Sequence, residues 1–204
     1  VNDAFGTAHR AHASNVGVAE ELPSAAGFLL EKEIVYLGNA IADPKRPFVA
    51  IMGGAKISDK IDVIQNLLTK ADKVLIGGGM ANTFLLADGV DVGRSLAEPD
   101  LADTARRIVD AAKASGCAIV LPDDVVVASE LASDQPIETV ARDMVPNDKM
   151  ILDVGPQTVS VINGWIDRAE TLLWNGPLGA FEVSPFDAAT LAVAKHAAER
   201  TTAG

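Results

Sequence analysis

The sequence predicts an α/β fold with a doubly wound, mainly parallel sheet, and two observations support this prediction. First, short apolar runs of strand length alternate with longer segments whose apolar residues recur every three to four positions. Strands and helices in alternation build a parallel sheet that is covered by helices on both faces. Second, several apolar runs end in glycines, and ligands of such sheets bind outside the carboxyl ends of the strands. We therefore expect a binding crevice where the glycine-rich turns meet.

The composition is that of a folded, acidic protein. With 204 residues the chain is long enough for one substantial domain or two small ones. The net charge of -11 argues against a general nucleic-acid binder or a polybasic membrane-surface protein. The single cysteine, Cys117, excludes an intramolecular disulfide, and no apolar run is long enough for a membrane span. We expect a cytoplasmic protein without nucleic-acid or membrane partners.

The first part of the chain predicts a long helix and then a buried strand. Apolar residues at positions 30, 34, 37 and 41 mark one face of a helix over residues 27–43, which prolines end. The run FVAIM that follows, at 48–52, is short, apolar and bounded by Pro47 and Gly53, as in a buried strand. From Lys56 the period becomes helical again, with isoleucines at 57, 61 and 64 and a leucine at 68.

The same succession of strand, turn and helix repeats along the rest of the chain. Residues 129–149 are polar and contain two prolines, which predicts an excursion over the surface rather than part of the core. We expect the other strands to belong to the mainly parallel sheet. The further strands are predicted at 73–76, 118–121, 123–128, 150–155 and 171–174, and the further helices at 80–87, 99–114, 156–168 and 187–200.

The segment GGAKISDK, residues 53–60, is the first candidate binding site. Its two glycines allow a sharp turn and the close approach of a ligand, and the following helix would offer free N–H groups to an anion. Lys56 and Lys60 would lie on one face of that helix, and two cations at a helix N-terminus favour a polyphosphate ligand. The alternative is a solvated surface pair that Asp59 and Asp62 compensate. The segment matches neither GxxxxGK[ST] nor GxGxxG.

Two further glycine-rich turns are weaker candidates. GGGMANTF, at 77–84, could line an adenine or ribose with backbone, or could reflect only tight packing of a strand on a helix. WNGPLGAFE, at 174–182, offers an amide, a turn and a carboxylate that could accept ribose hydroxyls, although such a turn can be purely structural. The three histidines have no metal-ligand spacing, and we expect no metal ligand in this chain.

Five segments together resemble the phosphoglycerate kinase family in order and spacing, and the resemblance covers essentially the whole chain. It implies a Rossmann-like nucleotide domain and a two-domain enzyme of glycolysis. The family transfers a phosphoryl group reversibly between 1,3-bisphosphoglycerate and ADP, giving 3-phosphoglycerate and ATP, with Mg²⁺. The segments are DAFGTAHRAHAS, PFVAIMGGAKISDK, IGGGMANTFL, LDVGPQT and LLWNGPLGAFE.

The resemblance also implies roles for individual residues. Lys56 and Lys60 would be catalytic and would hold the nucleotide phosphates and the group in transfer. Glu182 would bind the ribose, Gly155 would lie beside the adenosine, and Arg10 would meet the phosphate of 3-phosphoglycerate. The remaining nucleotide-binding residues would be Gly54, Ala55, Gly78 and Gly79, through their backbone, and Asn175, Gly176 and Pro177, which would line the nucleotide cleft.

The resemblance divides the chain into three parts. Residues 1–26 would end the 3-phosphoglycerate domain, residues 27–43 would form the connector helix, and residues 44–204 would form a nucleotide-binding domain that is incomplete at its C-terminus. The rest of the first domain would precede the chain, and a GGGD segment would follow it. We therefore expect a fragment of a monomeric parent that lacks normal turnover and is marginally stable or associates through an unpaired sheet edge.

Two alternatives stay open at this point. The chain could be a non-catalytic nucleotide-binding fragment. It could also be an NAD-dependent oxidoreductase of the same broad fold, which would carry GxGxxG after the first strand and an acidic residue at the end of the next strand. Here the first turn carries two lysines instead, and the next strand ends in glycines.

Overall fold

A computed structural model describes residues 1–202 and divides the chain into two compact units, Val1–Pro44 and Lys45–Gly204. Within the first unit, short helical turns precede helix α1, Val18–Glu21, and helix α2, Phe28–Ala42. Helix α2 confirms the predicted long helix, and the carboxylate of Asp3 accepts a hydrogen bond from its Leu30 N–H at 2.9 Å. The predicted apolar face is only partly covered, since Leu30 is buried whereas Ile34 is 56% exposed.

The second unit is built on a four-stranded parallel sheet, as the sequence predicts. Its strands are β1, Phe48–Met52; β2, Lys73–Ile76; β3, Ala118–Val120; and β7, Thr171–Asn175, in the order β3-β2-β1-β7. Strand β1 lies inside the sheet and pairs in parallel with both β2 and β7. All five of its residues are buried, which explains why its sequence is apolar without alternation.

Helices cover both faces of this sheet, which confirms the doubly wound prediction. Phe48, Ala50 and Met52 of β1 belong to a core cluster on one face, and Val49 and Ile51 belong to a second cluster on the other. Helices α3, Ile61–Leu68; α4, Gly79–Ala87; and α5, Ala102–Ser115, supply residues to the first cluster, and α6, Pro156–Ile166, and α7, Ala188–Thr202, supply the second. Among the described residues, no helix is long and apolar enough to cross a membrane.

A second sheet differs from the prediction. Strands β4, Asp124–Ala128, and β6, Met150–Val154, lie where the sequence predicts strands. They pair antiparallel with each other in a separate three-stranded sheet of order β5-β4-β6. Strand β5, Glu138–Ala141, lies in the segment predicted as a surface excursion. Its residues are mostly exposed, so no apolar pattern marks it. Apolar runs such as those of β4 and β6 do not encode the direction of their partners.

Residues 53–60, which we call the lysine loop, differ from a second prediction, that of a helix from Lys56 onwards. Helix α3 begins at Ile61 rather than at Lys56, and Lys60 is its N-cap residue. Gly54 has a φ of 131°, which a helix excludes, and the Lys60 N–H closes a turn onto the Ile57 carbonyl at 2.9 Å. Lys56 and Lys60 therefore do not share a face of one helix.

Candidate functional site

The carboxyl ends of three neighbouring strands meet at one edge of the parallel sheet. In the strand register Met52 of β1 lies beside both Ile76 of β2 and Asn175 of β7, so the three following turns start level with one another. Hydrogen bonds then join these turns: the Gly53 N–H donates to the Asn175 carbonyl at 2.8 Å, and the Gly77 N–H donates to the Met52 carbonyl at 2.9 Å. The predicted crevice at the glycine-rich strand ends is present.

Two different physical reasons explain why these turns contain glycine. A side chain at Gly78, whose φ is 68°, would lie 2.6 Å from the carbonyl oxygen of Gly54, so this position is glycine because backbones pack there. A side chain at Gly79 would meet the Ala55 carbonyl at 2.7 Å. At Gly54 a side chain would make only an ordinary contact with Met80 at 3.8 Å, so the backbone conformation alone demands glycine. Tight packing therefore accounts for part of the glycine pattern, and backbone conformation accounts for Gly54.

A cavity of about 500 Å³ opens at this edge of the sheet. Its volume lies in the range of small-molecule sites, which are commonly apolar with a few polar groups. Its further walls include Arg94 and Leu96, strand β6 and Leu131. Of the residues that the sequence singles out, Gly54, Ala55, Gly78, Gly79, Pro177 and Glu182 line this cavity.

The two lysines lie on the loop that borders this cavity. The Lys60 ammonium group donates a hydrogen bond to Asn175 Oδ1 at 2.5 Å, across 115 positions of sequence. Lys60 is half-buried, whereas Lys56 is exposed. Among residues 1–202, neither ammonium group forms an ion pair with a carboxylate, so Asp59 and Asp62 do not compensate them as a surface pair would require. The structure thus brings Lys60 and Asn175 together beside a cavity, and the charge of Lys56 acts on the Glu98 carboxylate without forming an ion pair with it.

A carboxylate that the sequence does not single out holds the lysine loop. Glu98 accepts two hydrogen bonds from Ser58, from the hydroxyl at 2.7 Å and from the N–H at 3.1 Å. Burial acts to raise the pKa of Glu98, but the hydrogen bonds from Ser58, a backbone hydrogen bond from Ile57 and the nearby charge of Lys56 together hold that pKa below its ordinary value. The partners are 40 positions apart, and no local pattern in the sequence marks such a pair.

Asp153, on β6, is a second functional candidate that sequence reasoning missed. It lines the cavity, and its buried carboxylate accepts hydrogen bonds from the N–H groups of Val154 at 2.9 Å and Ala189 at 3.0 Å. Burial raises the pKa of Asp153 to about 6, because these hydrogen bonds offset only part of the lost hydration. A lone polar residue inside an apolar run was the available signal.

Gly155 and Gly176 lie outside the cavity lining, as Lys56, Lys60 and Asn175 also do. A side chain at Gly155 would collide with the carboxylate of Asp124, which accepts hydrogen bonds from the N–H groups of Gln157 at 2.9 Å and Thr158 at 2.7 Å. Asp124 thus occupies the N-terminus of α6, where an anion could otherwise bind. A place for Gly155 beside an adenosine stays a prediction.

Arg10 belongs to the first unit and is exposed. Its Nε atom contacts Nε2 of His9 at 3.4 Å, and the Asn15 amide donates to the Arg10 carbonyl at 2.8 Å, which fixes the backbone locally. Its guanidinium group forms no ion pair among the described residues, so it is free to meet an anion. Its role as a substrate ligand stays a prediction.

Sequence comparison identifies similar proteins along the entire chain. The profile of the family described as "Phosphoglycerate kinase" matches residues 1–204. The chain is 60% identical over 204 residues to the phosphoglycerate kinases of Sinorhizobium fredii and of Rhizobium meliloti, and each match covers 100% of this chain and 51% of the relative. The chain therefore spans about half the length of the curated relatives that it matches.

Solved structures agree with these sequence relatives. The phosphoglycerate kinase from Coxiella burnetii superposes with a TM-score of 0.88 at 42% identity, covering 97% of this chain and 51% of that one. The phosphoglycerate kinase from Pyrococcus horikoshii gives a TM-score of 0.84 at 33% identity, with 98% and 51% covered. Both similarities extend through the two units of the chain.

Proposed function

Since the chain belongs to the phosphoglycerate kinase family, we propose that it supplies the nucleotide-binding part of an enzyme of glycolysis. The reaction is reversible phosphoryl transfer between 1,3-bisphosphoglycerate and ADP, which gives 3-phosphoglycerate and ATP. The observation that carries this proposal is a pair of lysines beside an apolar cavity at the strand ends, neither of which forms an ion pair within residues 1–202. A cytoplasmic location and a monomeric parent belong to the same proposal.

The nucleotide would lie with its base in the cavity and its phosphates at the lysine loop. The apolar walls and the glycine backbones at 54, 78 and 79 suit a flat aromatic base, and the exposed carboxylate of Glu182 would accept the ribose hydroxyls. Lys56 and Lys60 would donate to phosphate oxygens, with Lys60 held towards them by Asn175. The region between the base in the cavity and the phosphates at the lysine loop would be shaped by Ala55, Gly176 and Pro177. Gly155 would lie beside the adenosine.

The chemistry asks these residues for position and charge rather than for proton transfer. The transferring phosphoryl group carries negative charge on its oxygens, and fixed cations lower the energy of the transition state. Lys60 is suited to this task because its partner in the protein is a neutral amide. The acceptor, a carboxylate of 3-phosphoglycerate, already carries its negative charge, so no general base is required. Arg10 would bind the phosphate of that substrate.

Mg²⁺ fits this site as an ion that accompanies the nucleotide. Among residues 1–202, no group of three or more His, Cys, Asp or Glu side chains could hold a metal ion. Mg²⁺ often keeps several waters and binds through substrate phosphates with one or two carboxylates. It would supply charge neutralisation at the phosphate oxygens when bound there.

The parts of the chain would then have separate tasks. Residues 1–26 would end the 3-phosphoglycerate domain, residues 27–43 would connect it, and residues 44–204 would bind the nucleotide. The alternative of a nucleotide-binding part without turnover of its own makes the same prediction for nucleotide affinity. Nucleotide affinity is therefore the first quantity to measure.

A calorimetric titration of the 204-residue chain with Mg-ADP tests the proposal. Replacing Lys60 by alanine removes one charge-assisted hydrogen bond to phosphate, which is worth about 1.5–3 kcal/mol, so we expect the affinity to fall by about 10- to 100-fold. Lys195→Ala, an exposed lysine of α7, is the matched control and should leave the affinity unchanged. An unchanged affinity in Lys60→Ala would remove the proposed role of the lysine loop.

A further inference from the structure

One chain of hydrogen bonds joins the cavity wall to the lysine loop. The wall segment, residues 94–98, includes Arg94 and Leu96, which line the cavity, and ends at Glu98. Glu98 contacts the centre of the lysine loop through both hydrogen bonds from Ser58. Ser58 lies two positions after Lys56 and two before Lys60. The structure of the loop between the two cations is therefore tied to the wall against which the base would lie.

The wall segment is itself fixed by buried polar side chains of α4. The Glu98 N–H donates to the hydroxyl of Thr83 at 3.0 Å, and the amide of Asn82 donates to the Leu96 carbonyl at 3.0 Å. Thr83 is fully buried and Asn82 is 1% exposed, so both anchors are held by the core. An exposed carboxylate on a flexible segment would hold nothing in place, whereas Glu98 starts from a rigid backbone.

Between its two lysines, the lysine loop has few other contacts. Lys56 is exposed, Gly54 has the conformational freedom of glycine, and helix α3 begins only at Ile61. Besides Glu98, the stretch between the lysines is held by the buried side chain of Ile57. The ends of the loop are fixed by backbone hydrogen bonds from Gly53 to Asn175 and from Met80 to Gly54, and by the contact between Lys60 and Asn175. Loss of the Glu98 contact would free the segment that carries both ammonium groups, and a site gains affinity when its donors are held in the bound geometry.

We propose that Glu98 is a positioning residue, which holds the lysine loop through Ser58 so that Lys56 and Lys60 point at the nucleotide phosphates. This inference rests on the proposed function, because it needs a phosphate at the loop. Glu98 does not touch the nucleotide in this proposal. Its effect should therefore depend on the phosphates and on Lys60, and should be absent for a ligand that carries only the base and ribose.

The first test compares ADP and adenosine as ligands of the 204-residue chain. We expect Glu98→Ala to weaken Mg-ADP binding about five- to tenfold and to change adenosine binding less than about twofold. Glu98→Gln keeps an acceptor for the Ser58 N–H and an amide group that can hydrogen-bond to the Ser58 hydroxyl. Its affinity for ADP should therefore be close to that of the original chain. Glu199→Ala, an exposed carboxylate of α7, is the control. Equal losses for ADP and adenosine would overturn the positioning role, since they indicate a damaged wall or fold.

The second test is a double-mutant cycle between Glu98→Ala and Lys60→Ala. If Glu98 acts through the lysine loop, its loss should matter much less once Lys60 is absent, so the two effects on ADP affinity should not add. Additive effects would overturn the proposal. If Lys60→Ala alone leaves ADP affinity unchanged, the proposed function and this inference both fail. If Lys60→Ala weakens binding but Glu98→Ala does not, only this inference fails.

Discussion

The contact between Lys60 and Asn175 shows how a cation can be placed without being neutralised. An aspartate at position 175 would hold the ammonium group more strongly, but it would also cancel the charge that a phosphate needs. The amide oxygen fixes the position of the ammonium at 2.5 Å and leaves its full charge available. At the scale of single residues, the site therefore separates orientation, which neutral groups provide, from charge, which the lysines provide.

Individual residues also show what a sequence can reveal. Lys56, Lys60 and the glycines stand in one short motif, so their chemistry was readable. Glu98 and Asp153 depend on partners 40 and 36 positions away, and their own neighbours in sequence carry no sign of those contacts. The contact between Asn175 and Lys60 could not be predicted, because no spacing rule spans 115 residues. The resemblance implied only that each residue belongs to the nucleotide site.

Asp153 leads to a prediction about pH. Its pKa is near 6 in the folded chain and near 3.8 in the unfolded one, so between these values the folded state binds a proton that the unfolded state does not. Protonation therefore favours folding, and the contribution of this group to the free energy of unfolding should fall by about 2 kcal/mol from pH 4.5 to pH 7. Urea unfolding at both pH values should show this decrease in the original chain relative to Asp153→Asn. Identical pH dependence of the two proteins would contradict it.

At the scale of elements, the start of α3 illustrates why a period can mislead. Isoleucines at 57, 61 and 64 fit a helical spacing, yet only the last two lie in the helix. Ile57 lies in the preceding turn, and its side chain is buried. The antiparallel sheet was missed for a related reason. Strand β4 reads as an apolar run, and the partner that sets its direction, β5, is exposed and short. Periodicity reports burial, whereas pairing depends on distant segments.

The N-terminus of α6 gives a prediction about stability. Asp124 is buried and accepts hydrogen bonds from two N–H groups of the first turn and from the Thr158 hydroxyl. Its replacement by alanine would leave the two N–H groups without partners, although the Thr158 hydroxyl keeps the backbone carbonyl of residue 124 as acceptor. We therefore expect a loss of about 2–3 kcal/mol in the free energy of unfolding, measured in urea. Asp123→Ala is the control, since Asp123 is exposed and offers only its backbone to the same region. Equal stability of both variants would show that Asp124 is not a helix cap of consequence.

At the scale of the whole molecule, the candidate nucleotide site belongs to one unit. The cavity, the lysine loop, Asn175 and Glu98 all lie within Lys45–Gly204, and so do the parallel sheet and both of its core clusters. Only Arg10, among the predicted site residues, belongs to Val1–Pro44. Its proposed ligand is the second substrate rather than the nucleotide. The division of the chain thus matches a division between the two substrates of the proposed reaction.

This arrangement predicts that the second unit binds the nucleotide without the first. A chain of residues 45–204 should melt cooperatively and bind Mg-ADP with an affinity within about threefold of the 204-residue chain, because it keeps every residue assigned to the nucleotide. Arg10→Ala in the longer chain should likewise leave ADP affinity unchanged. Calorimetric titration of the three proteins measures this directly. A large loss of affinity in a shortened chain that still melts cooperatively would mean that residues before Lys45 contribute to the nucleotide site, and the assignment of that site to the second unit would then be wrong.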